Sequence, residues 1–146
     1  MKKLLSTLCA LCLTLCLLTA AHAEARGELQ PCLGQSPDAL AALLDDAVTD
    51  EESVATGDYS VVGMLDESGE VIDFISVSDD SYTLCGYQCG MALNVVQLAL
   101  ADAGMDVDDS MMAEDGLLYA DSADGSITMS FLFEDNVLIS VTAMLN

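Results

Sequence analysis

Residues 69–77 read GEVIDFISV, and the predicted architecture depends on this stretch more than on any other. It begins at a turn glycine and continues with β-branched and aromatic residues that alternate around Asp73, which is typical of a half-buried strand. The segment Tyr59–Leu65 has the same character, and the turn residues Asp66-Glu67-Ser68-Gly69 separate the two. The pattern therefore predicts a β-hairpin over residues 59–77.

A matching stretch lies 66 residues later, where residues 135–143 read DNVLISVTA. The apolar positions coincide, because Val71, Ile72, Ile75 and Val77 correspond to Val137, Leu138, Val141 and Ala143. Strand-like patterns precede this stretch as well. The last part of the chain therefore predicts three strands, at Leu117–Ala120, Ile127–Phe133 and Val137–Met144.

Two amphipathic helices are predicted before these strand regions. Ser36-Pro37-Asp38 is a helix start, and apolar residues then recur on one helical face at Leu40, Leu43, Leu44, Ala47 and Val48. The second helix is predicted over Met91–Ala103 and ends at Gly104. The two helices correspond at an offset of 56, which matches Gly34, Asp38, Leu40 and Leu44 with Gly90, Asn94, Val96 and Leu100.

The order of these elements predicts an α+β fold with helices packed on one face of a sheet. It is made of two similar helix-plus-antiparallel-strand units in the order α-ββ-α-βββ. The offset grows from 56 to 66, which requires a ten-residue insertion, and the acidic stretch Asp106–Asp115 provides the room. We expect a single domain over residues 24–146, with halves at about 32–80 and 81–146.

The first 23 residues have the composition of a secretory signal peptide. Lys2 and Lys3 form a positive start, and Leu4–Leu18 is an apolar run too short for a stable membrane anchor. Ala21-His22-Ala23 then provides the small residues for cleavage after Ala23. We therefore expect a secreted or periplasmic protein without membrane attachment after cleavage.

The remainder of the chain is strongly acidic. It holds all 25 Asp and Glu residues against the single Arg26, which leaves a net charge of −24. This charge repels nucleic acid and anionic lipid surfaces and favours basic proteins, cationic peptides or divalent cations. Residues 24–146 also contain no His or Lys, which removes the usual near-neutral base, Schiff-base amine and zinc ligands. The sequence predicts a protein without enzymatic activity or cofactor.

Three cysteines follow the predicted cleavage point, Cys32, Cys85 and Cys89, and an odd number allows one internal disulfide at most. Cys85 and Cys89 form the local pair. A straight strand would separate their Cα atoms by about 13 Å, so this bridge requires a bend. Pairing of Cys32 with either one, or no bridge, are the alternatives. A thiol–disulfide redox function of Cys85 and Cys89 is the second functional hypothesis, although no cation lies nearby in sequence to lower a thiol pKa.

Acidic residues crowd one predicted loop, at Asp106, Asp108, Asp109, Glu114 and Asp115. Clustered carboxylates suit calcium. However, Met111 and Leu117 stand where an EF-hand needs a glycine and a bidentate acid. We expect a solvated loop that serves as an acidic binding surface, with weak calcium binding as the alternative.

The start at Gly90-Met91, the short helix after it and the hairpin ending in residues 135–141 together resemble a known repeat. It occurs in secreted bacterial proteins related to the β-lactamase inhibitor protein and in outer-membrane-assembly lipoproteins of the SmpA/OmlA (BamE-like) type. The matching stretches are Leu33–Leu44, Gly69–Val77, Gly90–Gly104 and Ser126–Val141. The resemblance implies helices on one face of an antiparallel sheet, and binding rather than catalysis. With the charge, it predicts a protein that docks a partner protein, preferably a basic one, through an acidic surface.

Overall fold

The computed structural model describes residues 25–146, so the predicted signal peptide lies outside the described residues. Eight strands form one antiparallel sheet in the order β1-β2-β3-β4-β8-β7-β6-β5. Each half of the chain is a meander of four strands, and the two meanders meet where β4 pairs with β8. The strands are β1 Val48–Thr49, β2 Ser53–Ala55, β3 Val61–Leu65, β4 Ile72–Val77, β5 Asp106–Asp108, β6 Leu117–Asp121, β7 Ile127–Glu134 and β8 Val137–Leu145.

Short helices accompany the sheet. The helices within residues 25–146 are α1 Pro37–Ala41, α2 Leu93–Asp102 and α3 Met112–Asp115, and a 3₁₀ turn covers Gln30–Cys32. Pro37 opens α1 at a position where its missing N–H costs nothing. In this part of the chain, no helix has both the length and the apolar character needed to cross a bilayer.

One face of the sheet is buried except on the edge strands β1 and β5, and we call it the covered face. Strand register places one row of residues across all eight strands: Thr49, Val54, Gly63, Ile75, Ala143, Met129, Ala120 and Val107. A second row holds Val61, Val77, Val141, Phe131 and Leu118, all buried. The buried side chains of α1 and α2 join the same core. Leu40 of α1 sits so close to the sheet that a Cβ on Gly63 would lie 2.3 Å from Leu40 Cδ2.

The expected α+β fold with an antiparallel sheet is therefore confirmed, and the predicted α-ββ-α-βββ order has too few strands. The structure adds β1 and β2 in the first half and β5 in the second. The predicted first helix is also too long. It ends at Ala41, and Asp46 adopts a left-handed φ of 52° that takes the chain away from the helical path. On the predicted helical face, Leu40 and Leu44 are buried, whereas Leu43, Ala47 and Val48 are exposed.

The segment predicted as an acidic loop also differs from the sequence pattern, because residues 106–115 contain β5 and α3. These elements are too short for hydrophobic periodicity to reveal their backbone conformation. Residues 82–89 contain isolated bridges and a tight turn.

Candidate functional site

The other face of the sheet is half-buried or exposed at every paired position except Ala55, and we call it the open face. Its middle row crosses all eight strands: Val48, Ala55, Val62, Ser76, Thr142, Ser130, Tyr119 and Asp108. A second row lies toward the β3–β4 turn: Ser53, Met64, Phe74, Met144, Thr128, Asp121 and Asp106. A shorter third row holds Leu117, Leu132 and Ser140.

On the adjacent strands β2, β3, β4, β8 and β7, these rows carry no charged side chain. Hydroxyl groups occupy their centre, where the side chains of Ser130 and Thr142 approach within 2.6 Å and share a hydrogen bond. Beside them, Met64 and Met144 are 47% and 43% exposed and flank Phe74 on adjacent strands. We call these three residues the Met–Phe–Met strip. In a chain with 25 carboxylates, an uncharged area of this extent is the most distinctive part of the surface.

Carboxylates gather at both ends of the Met–Phe–Met strip. Beyond Met64, a cleft of about 470 Å³ lies between the β1–β2 and β3–β4 turns, and its lining includes Glu51, Glu52, Asp66, Glu67 and Asp73. Beyond Met144, the same row continues through Thr128 to Asp121 and Asp106, and the Thr128 hydroxyl donates to the Asp121 carboxylate. The open face therefore has an uncharged centre and acidic margins.

Several turn carboxylates are fixed by hydrogen bonds. Asp58 accepts bonds from the backbone N–H of Ser60 at 3.0 Å and the hydroxyl of Thr56 at 2.8 Å, which lowers its pKa to about 2. Asp124 accepts bonds from the hydroxyls of Ser126 and Ser122, each at 2.7 Å, which likewise lowers its pKa to about 2. These two carboxylates hold their turns and stay ionised above that pH.

Arg26, the only cation of residues 24–146, lies away from the strip. A hydrogen bond with the side chain of Tyr82 and, to a smaller extent, the adjacent carboxylate of Asp45 raise the pKa of its guanidinium. The surrounding cavity of about 330 Å³ is also lined by the carboxylates of Asp46, Asp58 and Asp79. The single arginine thus compensates little of the acidic surface.

The structure places the three cysteines in separate surroundings, as free thiols. Cys85 and Gly86 both take positive φ in a tight turn, so the bend required by the sequence exists, and their N–H groups each donate to Glu28 at 2.8 Å. Burial, with a smaller effect of Glu28, raises the pKa of Cys85 to about 12. Burial also raises the pKa of Cys89 to about 11 and that of Cys32 above its ordinary value. Because the thiolate is the reactive form, these pKa values disfavour thiol exchange at neutral pH.

The residues of the predicted acidic loop divide between two elements. Asp106 and Asp108 lie on the edge strand β5, where Asp108 accepts a bond from the N–H of Ser110 at 2.9 Å and has a lowered pKa. Glu114 and Asp115 lie on α3, and Asp109 lies between the two elements. Within residues 25–146, no group of three or more His, Cys, Asp or Glu residues is arranged to hold a metal ion. Weak calcium binding stays a prediction.

Reasoning from the sequence missed the Met–Phe–Met strip. Met64 and Phe74 do alternate with buried residues in their strands, and this alternation is a signal for a common face. Met144 joins them only because β4 pairs with β8, which no local pattern encodes.

In comparisons with known proteins, no protein-family model matches this chain, and no curated protein or solved structure is significantly similar to it.

Proposed function

We propose that this chain is a non-enzymatic binding protein, secreted or periplasmic, that docks a basic protein through the open face of its sheet. The observation that carries the proposal is the distribution of charge in the rows of that face, which are uncharged on β2, β3, β4, β8 and β7 and have acidic margins. Protein interfaces commonly combine an apolar centre with a polar rim. An acidic rim would steer a basic partner onto the face and fix its orientation.

The titrating groups support binding rather than catalysis. General acid–base catalysis needs a group whose pKa lies near the working pH. Hydrogen bonds lower the pKa values of the Asp58 and Asp124 carboxylates, and burial raises those of the Cys85 and Cys89 thiols, away from neutrality in both cases. A docking function requires no such group.

We also propose that the two halves are copies of one unit, related by a two-fold axis between Ser76 of β4 and Thr142 of β8, which are paired. Backbone hydrogen bonds at equivalent positions support this. The N–H of Gly34 donates to the carbonyl of Ile72, and the N–H of Gly90 donates to that of Leu138, each at 2.8 Å. The strand pairing is irregular at equivalent places too, at Met64/Leu65 and at Leu132/Phe133.

A duplicated unit of this kind is what the resemblance to the β-lactamase inhibitor protein superfamily implies. We therefore propose a distant kinship with that superfamily, on the basis of the matched hydrogen bonds and the matched hairpins. The kinship agrees with a role in binding, and the choice of partner depends on the open face of this chain.

The function is tested with a defined basic protein. Binding to immobilised lysozyme is measured by biolayer interferometry at about 20 mM and about 300 mM NaCl, on either side of physiological ionic strength. Succinylated lysozyme, whose lysines are converted to acids, is the matched probe. We expect binding to lysozyme at low salt, a loss of about tenfold or more at high salt, and no binding to the succinylated protein.

A pair of variants locates the binding surface. Thr142→Arg places a cation at the centre of the open face, whereas Ala101→Arg places the same charge on the exposed side of α2. Because both variants change the net charge equally, only a surface-specific effect separates them. We expect Thr142→Arg to weaken binding much more than Ala101→Arg. Equal effects, or no binding of lysozyme at low salt, would overturn the proposal.

A further inference from the structure

The row that contains the Met–Phe–Met strip changes its chemistry from strand to strand. In spatial order it presents a hydroxyl, three apolar side chains, a second hydroxyl and two carboxylates, which are Ser53, Met64, Phe74, Met144, Thr128, Asp121 and Asp106. The acidic cleft at Met64 extends the row on its other side. The sequence of groups is therefore acidic, apolar and acidic again.

The apolar part suits an apolar side chain of a partner. Met64 and Met144 are nearly half exposed, and methionine side chains adapt their shape to what they contact. Phe74 lies between them and is half-buried, so it forms the less exposed centre of the strip. Exposed apolar patches framed by polar groups commonly mark interaction sites.

The acidic parts suit cations at a fixed separation. Four strand spacings separate β3, which borders the cleft, from β6, which carries Asp121. At about 4.8 Å per spacing, the two acidic ends are about 20 Å apart. About six residues of an extended chain span the same length.

We propose that this row recognises an extended segment of the partner protein in which one apolar side chain lies between two basic ones, about three residues to either side. The inference rests on the proposed docking function and adds the chemistry of the partner. The segment lies across the strands, its apolar side chain contacts the Met–Phe–Met strip, and its two cations reach the cleft and Asp121. The acidic groups favour the two basic residues of the segment by charge complementarity, and the Met–Phe–Met strip favours an apolar residue between them.

The two-fold axis that we propose relates this row to a second row, in which the residues differ. The positions equivalent to Met64, Phe74 and Met144 are Leu132, Ser140 and Ser78. The equivalent row therefore keeps one apolar residue of three, and we expect one bound segment per chain.

A set of peptides tests the proposal by fluorescence anisotropy at low salt. The reference peptide has nine residues, with Arg at positions 2 and 8, Phe at position 5 and Gly or Ser elsewhere. One comparison peptide has Ser at position 5, and the other carries both Arg residues side by side at one end. All three have equal charge. We expect the reference peptide to bind at least about fivefold more tightly than either, with one site per chain.

Matched variants of the full chain test whether the preference for the reference peptide depends on the row that contains the Met–Phe–Met strip. The double change Met64→Ser and Met144→Ser removes the advantage of the reference peptide, whereas Leu98→Ser, at an exposed apolar residue of α2, retains it. Asp121→Asn weakens the reference peptide several-fold, and Asp38→Asn on α1, with the same charge change, has a smaller effect. Circular dichroism and thermal melts check that each variant is folded.

The outcomes separate this inference from the proposed function. If the three peptides bind equally while lysozyme binding depends on the open face, the surface responds to charge alone, and the inference is overturned without the function. The inference is also overturned if the double methionine variant keeps the preference for the reference peptide. If neither lysozyme nor any peptide binds at low salt, both proposals fail.

Discussion

The covered and open faces belong to the same strands and differ in what their side chains must do. Along β4, Ile75 and Val77 are fully buried, whereas Phe74 and Ser76, which alternate with them, are half-buried. On the covered face, close packing restricts which side chains are tolerated, because the loss of one methylene group changes stability. On the open face, the choice of side chains is restricted by solubility and, in our proposal, by contact with a partner. Substitutions at matched positions on the two faces test this contrast.

The largest effect is expected for Phe131→Ala on the covered face. Phe131 is fully buried, and its ring meets Tyr87 edge-on with centroids 4.9 Å apart. Its truncation leaves a cavity and should lower the free energy of unfolding by about 3–5 kcal/mol. Leu132→Ala, one residue later on the open face, should cost less than about 1 kcal/mol. Urea denaturation measures both, and similar losses would erase the distinction between the faces.

A somewhat smaller effect is expected where α1 meets the sheet. Gly63→Ala places a methyl group against Leu40 and should cost about 1–3 kcal/mol through overpacking. Leu40→Ala alone should cost about 2–5 kcal/mol. The double variant should be more stable than the sum of the two losses predicts, because the new methyl group fills part of the space left by Leu40. Strict additivity in urea denaturation would show that the two residues do not pack together.

On the open face, removal of a hydroxyl should have a slight effect on stability. Thr142→Val breaks the hydrogen bond between Thr142 and Ser130 and keeps the branched shape. Both groups remain accessible to water, so the expected loss is below about 1 kcal/mol. Val141→Thr, at the fully buried neighbouring position, is the matched reverse change and should cost more because it buries a hydroxyl. Equal losses in urea denaturation would contradict the assignment of the two faces.

The exposed turns should contribute the smallest effect, and it should depend on pH. The folded-state pKa values of Asp58 and Asp124 are about 2, below the ordinary value of 3.8. Their contribution is therefore present above about pH 4 and is lost as the pH falls through about 2. We expect the melting temperature to decrease over that interval, and less so in the double variant Asp58→Asn and Asp124→Asn. An unchanged acid slope in that variant would assign the loss to other carboxylates.

Much of the fold was predictable because its longest elements repeat a strong apolar pattern. The matched positions Leu40, Leu44, Val96 and Leu100 are all buried, as the apolar pattern predicted, although Leu44 lies beyond the end of α1. The short strands β1, β2 and β5 were not predictable, because two or three residues contain too little periodicity to be recognised. The strand order could not be predicted from local sequence patterns either, because β4 pairs with β8, which is distant in sequence.

The candidate site was predictable in its charge and not in its geometry. Composition alone indicated an acidic surface, and Asp106 of the predicted loop does lie at the end of the row described above. The apolar strip between the acidic groups depends on the β3–β4 hairpin and on β8, which lies about 60 residues further along the chain. Sequence periodicity shows that a residue faces away from the core, but it does not identify its neighbours across the sheet.

The position of β8 has a consequence for how the molecule is made. The strand nearest the C-terminus, Val137–Leu145, lies in the middle of the sheet and is the one that links the two meanders. Neither meander can join the other until β8 has been translated. A chain that lacks Val137–Leu145 would therefore leave β4 and β7 without the strand that joins them, whereas loss of β1 from the sheet margin would leave that junction in place.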